Sequence, residues 1–578
     1  MILRTFLFGF LLFSTAMAQS LQTPYERGNG NQTATYEEAI QFARTLADAS
    51  PRIQVLEYGT TDIGKPLHLI VYSQSGEFDP ARLKDQGKVI WLINNGIHPG
   101  EPDGIDASLM LMRDFIRQKS LRRLLDNVVV AVIPVYNVDG ALNRGSYSRA
   151  NQNGPEAYGF RGNARNLDLN RDFIKTDSRN ARTFHEIYHA WQPDVYLENH
   201  VSNGADYPYV MTYIATQKDK LGGAMGQYLD EVFEPDLNRS MTDRGFPLTP
   251  YVNHFGPGPV DQIVQFPDLP RYSTGYTALF GTLSFMTESH MLKPYAQRVT
   301  GTYEYMVATL ELVHRDARRI RQIRQETDAR VQQQSEFALR WEPDTSQYRP
   351  LRFQGYVGEM VTSRISGLPR LTYDRNRPYE DTIPFYNYYV PSVMVQKPYA
   401  YVIPQAWWDV VERLERNQIR LQRFERDTTL AVDVYYLDAF ETLPRPFEGH
   451  YLHHNTEVRT ETQTLPVYAG DYLLVLDQPG NRFAVETLEP QGPDSFFSWN
   501  FFDSVLQQKE GFSDYVFEEI AEQLLADDPA LRRAYEAKKE ADAAFAQDHR
   551  AQLDFFYRAS PYFEPSYRRY PVYRLLHP

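Results

Sequence analysis

Not one of the 578 residues is cysteine. That absence excludes a disulfide framework and a lipid-modified cysteine, so stability must come from the size of the core. Long hydrophobic runs are missing beyond the N-terminus, where nothing approaches the roughly eighteen apolar residues that a membrane helix needs. Positive charge is in deficit: 60 Lys and Arg stand against 74 Asp and Glu, a net of −14, which argues against nucleic acid as a partner. No internal repeat and no low-complexity segment interrupts the chain. At this length a single compact core is not expected, and about two or three domains are.

The first residues, 1 to 18, have the makeup of a secretory signal peptide. Arg4 is followed by the apolar run Phe6 to Phe13 and by Ala16-Met17-Ala18, a small-residue cleavage site. Its removal takes Arg4 away and leaves a mature chain of about −15 with no membrane span. The apolar run is short and the cleavage site well formed, which favours a cleaved leader over an N-terminal anchor. An exported chain without cysteine fits a bacterial periplasm or cell exterior better than a eukaryotic secretory route, so the expected location is secreted or periplasmic. Forty Tyr and 33 Phe predict large aromatic cores, with stacking on sugars as the rarer use of such side chains.

Residues 34 to 49 predict a helix capped by Thr35, and β-rich runs follow at Ile53 to Tyr58, Leu67 to Tyr72, Val89 to Ile93 and Val128 to Val135. Ser178 to Trp191 reads as a helix stopped by Pro193, leading into a strand from Asp194 to Asn199; Leu283 to Thr287 is a further strand. Apolar strands alternating with helices predict an α/β fold with a mixed, mostly parallel sheet flanked by helices. In such sheets ligands bind at the carboxyl ends of strands. Pro294 to about Gln334 reads as one long helix, and its Arg-rich stretch, Arg315 to Arg330, is expected to be a solvated face. After residue 345, short Tyr- and Val-rich strands broken by Pro and Gly predict a β-rich accessory domain, 345 to 500. Residues 501 to 578 return to helical periodicity and end in an extended tail.

The most specific chemistry stands at the mouth of the strand Val89 to Ile93, in His98-Pro99-Gly100-Glu101. A His and a Glu three residues apart, on a turn between strand and helix, can point at one cation. Imidazole and carboxylate suit zinc, whose catalytic sites use three protein ligands and keep one position open. Farther on, Asn166-Leu167-Asp168-Leu169-Asn170-Arg171-Asp172-Phe173 supplies an amide beside a guanidinium fork, a pair suited to a carboxylate. Asp194 to His200 places a His at a strand end, and Leu283 to Glu288 places a Glu at another. Any one of these is more often structural, because a lone Arg usually makes a salt bridge and a Glu ending a strand usually caps or faces solvent.

Taken in order over about 190 residues, HxxE, Asp-x-Asn-Arg, the strand-end His and the strand-end Glu resemble the zinc carboxypeptidase (metallocarboxypeptidase, carboxypeptidase A-like) family, in its large secreted bacterial form with a C-terminal extension. The resemblance covers roughly residues 30 to 330 and implies a catalytic domain over 19 to 340. It implies that His98, Glu101 and His200 hold one zinc per chain, that Glu288 is the general base, and that Asn170 and Arg171 bind the substrate's terminal carboxylate. Asp168 matches the acid that orients the first His. For the Arg beside the scissile carbonyl the choice is Arg149, with Arg161 and Arg165 as rivals. For the mobile active-site Tyr it is Tyr276, with Tyr272 beside it. The implied substrate is a peptide or protein with a free C-terminus. The nearest alternative is a zinc amidohydrolase of the same fold acting on cell-wall peptides or small amides. Farther off is a non-catalytic peptide- or glycan-binding protein, against which all four catalytic-type residues stand intact.

One rival motif competes for the metal. His185-Glu186-Ile187-Tyr188-His189 is a complete HExxH on a predicted helix. It lacks a third ligand at useful spacing: Gln192 and Val195 occupy the metzincin positions, Glu198 is too near and in a strand, and Asp206 lies in a turn. An amphipathic helix packing His and Tyr on the sheet is the better reading. His450, His453 and His454 lack a nearby acidic partner and are expected to pack at a surface or between domains.

Overall fold

Residues 21–202, 204–254 and 260–578 are described by the computed structural model of the protein. The signal peptide read at 1 to 18 lies outside them. The first part of the chain forms β1 (Ile53–Tyr58), β2 (Leu67–Tyr72), β3 (Val89–Asn94), β4 (Val128–Ile133), β5 (Val195–Ser202), β6 (Met211–Ala215), β7 (Leu248–Pro250), β8 (Ile263–Val264) and β9 (Leu283–His290). All but β8 join one eight-stranded sheet, in the order β1-β2-β4-β3-β5-β9-β6-β7. Its centre, β4-β3-β5-β9, is parallel. The edge pair β1 and β2 and the junction of β6 with β9 are antiparallel. Every residue of β3, β4 and β5 is buried; for β3 and β4 that is what nearly unbroken apolar runs signify in a sheet covered on both faces, while β5 buries polar residues at its carboxyl end. The mixed, mostly parallel α/β architecture expected from the alternation of strands and helices is the one the chain adopts.

Helices cover both faces of this sheet. On one, Tyr36–Ala49, Asp103–Arg117 and Tyr295–Gln333 pack together. The first of these starts at a capping box: Thr35 Oγ1 accepts from the Glu38 amide at 3.2 Å, and Glu38 accepts from the Thr35 amide at 2.9 Å. On the other face lies Arg179–Trp191, whose Phe184 meets Tyr196 of β5 edge-on. On the long helix the expected solvated Arg face holds for Arg315, Arg318 and Arg319, which are exposed, while others also reach carbonyls of neighbouring elements. Arg324 donates to the Pro193 carbonyl at 2.9 Å and Arg330 to that of Leu221, because a guanidinium can satisfy carbonyls left open at element ends while its stem packs.

Beyond that helix the chain is rich in strands. β10 (Glu336–Pro343) pairs with β13 (Tyr389–Gln396), and β11 (Arg349–Thr362) forms a long hairpin with β12 (Pro369–Tyr386) that picks up β8. A six-stranded sheet, in the order β15-β18-β14-β19-β16-β17, combines β14 (Ala400–Ile403), β15 (Gln422–Arg423), β16 (Thr428–Thr442), β17 (His453–Val467) and β18 (Tyr472–Val475) with β19 (Tyr573–Leu575) from the extreme tail. One hydrophobic cluster runs without a break from Ala34 through the eight-stranded sheet to Leu414, Phe483, Trp499 and Val572. The C-terminal sheet is therefore packed onto the first domain through a shared core.

Candidate metal centre and active site

The turn after β3 brings the first two candidate ligands together. Gly96 takes φ +64°, a left-handed turn that ends the strand. The Glu101 amide then donates to the His98 carbonyl at 2.8 Å, which closes a tight turn and puts both side chains on one side. The helix beginning at Asp103 approaches β5 so closely that a Cβ on Gly104 would lie 2.4 Å from the Asn199 Cβ. That contact draws the His98–Glu101 turn over the carboxyl end of β5, where His200 waits.

The result is a compact trio. His98 Nδ1 lies 3.2 Å from His200 Nδ1, and the Glu101 carboxylate lies 3.3 Å from the first and 3.1 Å from the second. Four-coordinate zinc with bonds near 2.1 Å sets its ligand atoms roughly 3.4 Å apart, so the three atoms already have the spacing the ion requires. All three residues are buried, and among the described residues this is the one such group whose donor atoms converge. Each imidazole turns its other nitrogen to an acid: His98 Nε2 to Asp168 at 2.9 Å, His200 Nε2 to Glu198 at 2.8 Å. That arrangement fixes a proton on Nε2 and leaves Nδ1 lone pairs facing the gap, which is the ligating tautomer.

Electrostatics point the same way. Burial alone raises Glu101, but Arg149, His98 and His200 overcome it and hold the carboxyl well below its ordinary value. Burial is likewise outweighed at His200, where Glu101 and Glu198 push the imidazole up to about 10. The cluster of carboxylates thus demands positive charge at this point, and a divalent cation answers that demand. The donor set, the tautomers and the spacing fit zinc.

Glu288 enters through register. It is the partner of His200 across the parallel pair β5 and β9, so both side chains project from the same face. Burial raises its carboxyl to about 7, with Glu101 adding to the rise and His200 and the nearby guanidiniums opposing it. A cavity of about 200 Å³ opens over this face, lined by His98, Glu101, His200, Glu288, Asn170, Arg171, Arg161, Tyr272 and an apolar wall that includes Ile214 and Met286. Asp168 backs it, its carboxyl kept low against burial by His98, Arg161 and Arg171. Arg171 stacks on the Tyr272 ring at 4.5 Å, and the Asn170 Oδ1 is buried with no hydrogen-bond partner among the described residues.

Two sequence expectations land elsewhere. Arg149 turns its guanidinium onto Glu101 Oε1 at 2.6 Å and does not line the cavity; Arg161, which also bonds Asp168 at 2.9 Å, faces it instead. Arg165 donates to the Asp177 carbonyl at 2.7 Å. Tyr276 is fully buried in a short helix, and its hydroxyl donates to Asn417 at 2.7 Å, away from the cavity. The physical reason is helical phase: Tyr272, half-buried, lines the cavity just before the helix Ser273–Ala278, and Tyr276 is one turn inward. From sequence, Glu198 is weighed only as a third ligand for the HExxH motif and not as the partner of His200, although its place two residues before His200 in a strand puts it on the same face.

Residues 39–205 match the family model described as zinc carboxypeptidase. The chain carries a zinc carboxypeptidase domain. It is similar to Carboxypeptidase 2 of Trichophyton rubrum, 22% identical over 505 residues, which are 82% of this chain and 85% of that protein. A second relative, Carboxypeptidase 2 of Trichophyton equinum, is 22% identical over 441 residues, 71% of this chain and 73% of the other. Among solved structures it is similar to a metallo-carboxypeptidase from Burkholderia cenocepacia, with a TM-score of 0.37 and 19% identity over 49% of this chain and 70% of that one. A domain of this family is a peptide-bond hydrolase that uses zinc. The matched segment of the carboxypeptidase domain contains the His98, Glu101 and His200 trio and the Asn170-Arg171 pair; Glu288 lies past its end.

The HExxH helix serves the carboxypeptidase domain as packing. His185 is buried, stacks on Tyr276 with ring centres 5.0 Å apart, and its Nε2 lies 3.0 Å from the Phe173 carbonyl. His189 Nε2 contacts Tyr276 and Asn417, while Glu186 is exposed. His450 and His453 find their acidic partners far off in sequence, Asp177 at 2.7 Å and Asp503 at 3.0 Å. Among the described residues no helix is long and apolar enough to cross a membrane.

Proposed function

We propose that the protein is an exported metallocarboxypeptidase that releases C-terminal residues from peptides or proteins with a free C-terminus. The observation that carries this reading is one cavity lined by the zinc-spaced trio, a carboxyl in register with His200, and the Asn170-Arg171 pair, whose amide and guanidinium N–H groups are the donors a carboxylate needs. His98, Glu101 and His200 are the zinc ligands, one ion per chain. Bound there, zinc supplies Lewis-acid polarisation of the scissile carbonyl and lowers the pKa of an attacking water. Glu288 accepts the water's proton and returns it to the leaving amine. Arg161 faces the developing oxyanion, in the place given from sequence to Arg149, whose charge is spent on Glu101. Arg171 and Asn170 hold the terminal carboxylate, and Tyr272 keeps the guanidinium oriented by stacking on it. Asp168 and Glu198 hold the two imidazoles in the ligating tautomer. The wall of Ile214 and Met286, partners across β6 and β9, suits an apolar C-terminal side chain.

Export follows from the signal peptide read at residues 1 to 18. A peptide-library digest followed by mass spectrometry, with and without chelator, tests the reading. Stepwise loss of C-terminal residues, preferably apolar ones, that chelator stops is the expected result. Internal cleavage, or release only from cell-wall peptides, refutes it.

A further inference from the structure

The two loops that frame the terminal-carboxylate side of the cavity are both held by the C-terminal region. One loop runs from Asp168 to Asp177. Glu448, in the turn between β16 and β17, accepts from the Asp168 amide at 2.7 Å. Two residues on, His450 Nε2 lies 2.7 Å from Asp177, and Arg413 donates to the Lys175 carbonyl at 2.6 Å. The other loop ends in Arg271 and Tyr272. Asp494, almost fully buried, accepts from both the Arg271 amide and its Nε at 2.8 Å. Between these anchored loops stands the Arg171–Tyr272 stack.

Glu448 occupies a costly position. Its φ is +51°, a left-handed conformation for a residue with a side chain, and Gly449 follows at +84°. Its carboxyl also sits beside the Asp168 carboxylate. Backbone strain combined with like charge persists only where the surroundings impose it, and such sites cluster where geometry matters to function.

We propose that the C-terminal region is a positioning element of the active site, in which Glu448 and Asp494 hold the loops carrying Arg171 and Tyr272 in register for the substrate's terminal carboxylate. The inference rests on the proposed carboxypeptidase reading. Glu448 touches no substrate; it acts through the Asp168 amide, and Asp494 acts through Arg271. The carboxylate subsite is complete only when the C-terminal sheet is docked on the catalytic domain, so residues after 345 belong to the working enzyme.

The full-length protein tests this. Loss of a charge-assisted bond at a positioned loop predicts that Glu448→Ala raises KM for free-acid peptides roughly tenfold, with kcat changed by less than about threefold. Glu448→Gln, which keeps a carbonyl acceptor, restores KM to within about twofold of wild type. Arg445→Ala, an exposed neighbour in the same turn, leaves both constants unchanged. Hydrogen exchange gives a readout independent of activity: amides of residues 166–173 lose protection in Glu448→Ala while the zinc content stays at one. Asp494→Asn serves as a second variant should Glu448→Ala fold poorly, with the same direction in KM. Wild-type KM and wild-type exchange in folded variants overturn the inference. So does a parallel loss of kcat, zinc and thermal stability, which signals structure rather than positioning. A wild-type enzyme that releases no C-terminal residues sinks the functional reading instead, and the exchange experiment still decides the loop contact.

Discussion

Glu198 offers the sharpest test of how this site is built. Its fully buried carboxylate accepts from His200 Nε2, the Ser273 hydroxyl and the Tyr196 hydroxyl at 2.8 Å each, and from Asn94 Nδ2 at 2.9 Å. Four donors converge on it, so it is an anion by construction; burial opposes that charge, and His200, Ser273 and Tyr196 lower its pKa nonetheless. Glu198→Gln keeps the volume and can keep a carbonyl toward His200. Its new amide group can find Asn94 Oδ1, which is buried and without a partner among the described residues. What disappears is the charge behind the imidazole. Glu198→Ala goes further, freeing His200 to protonate Nδ1 and lose its ligating lone pair. Orienting partners of metal ligands are worth roughly 10- to 100-fold in affinity, or about 1.4 to 2.8 kcal/mol. Glu198→Gln is placed near the tenfold end and Glu198→Ala near the hundredfold end. The assay is zinc competition against a chromophoric chelator, run on protein whose circular dichroism matches wild type. Wild-type zinc affinity in folded Glu198→Ala refutes the argument that tautomer control by Glu198 makes His200 a ligand.

Glu288→Gln should retain one zinc and lose roughly 10²- to 10⁴-fold in kcat, the range general acid–base catalysis supplies; near-normal turnover refutes Glu288 as base. In wild type, kcat/KM should rise with pH as Glu288 deprotonates. Burial sets that group at about 7, the zinc charge draws it lower, and the acid limb should therefore lie below 7 and vanish in Glu288→Gln. Arg171→Ala should cost roughly 10- to 100-fold in kcat/KM toward free-acid peptides, as loss of a charged hydrogen-bonding pair does, measured against its residual effect on C-terminal amides. Burial lowers His189 to about 4 from an ordinary 6.5. The unfolded chain therefore takes up a proton that the folded chain refuses, and stability falls as pH drops from 6.5 toward 4, by about 2 to 3 kcal/mol from this residue. Urea midpoints at pH 7 and pH 4.5 should differ less in His189→Asn than in wild type.

How much of this was legible beforehand varies by residue. β3 and β4 were visible as apolar runs, and His98 and Glu101 as a pair on the turn between strand and helix, because periodicity and turn chemistry are local. Glu198 was legible in principle, lying two residues before His200 on one strand face. Arg149 against Arg161 could not be decided, since several arginines in one loop region differ only in which way the loop folds them. Tyr276 was misplaced for a similar reason: four residues separate it from Tyr272, one helical turn, and only packing shows which of the two faces the cavity.

Local chemistry therefore dictates the strands, the ligand types and the family. Chain-spanning contacts dictate everything that depends on two distant segments meeting. His200 reaches the His98–Glu101 turn because Gly104 lets a helix press on β5, and Glu288 joins them because β9 lies in register beside it. His185 and His189, a metal motif by spacing, are instead sealed against Tyr276 and Asn417. Glu448 meets Asp168 across 280 residues of chain. A short motif names the donors available at one place; the core, by choosing which surfaces are buried together, selects the donors that converge.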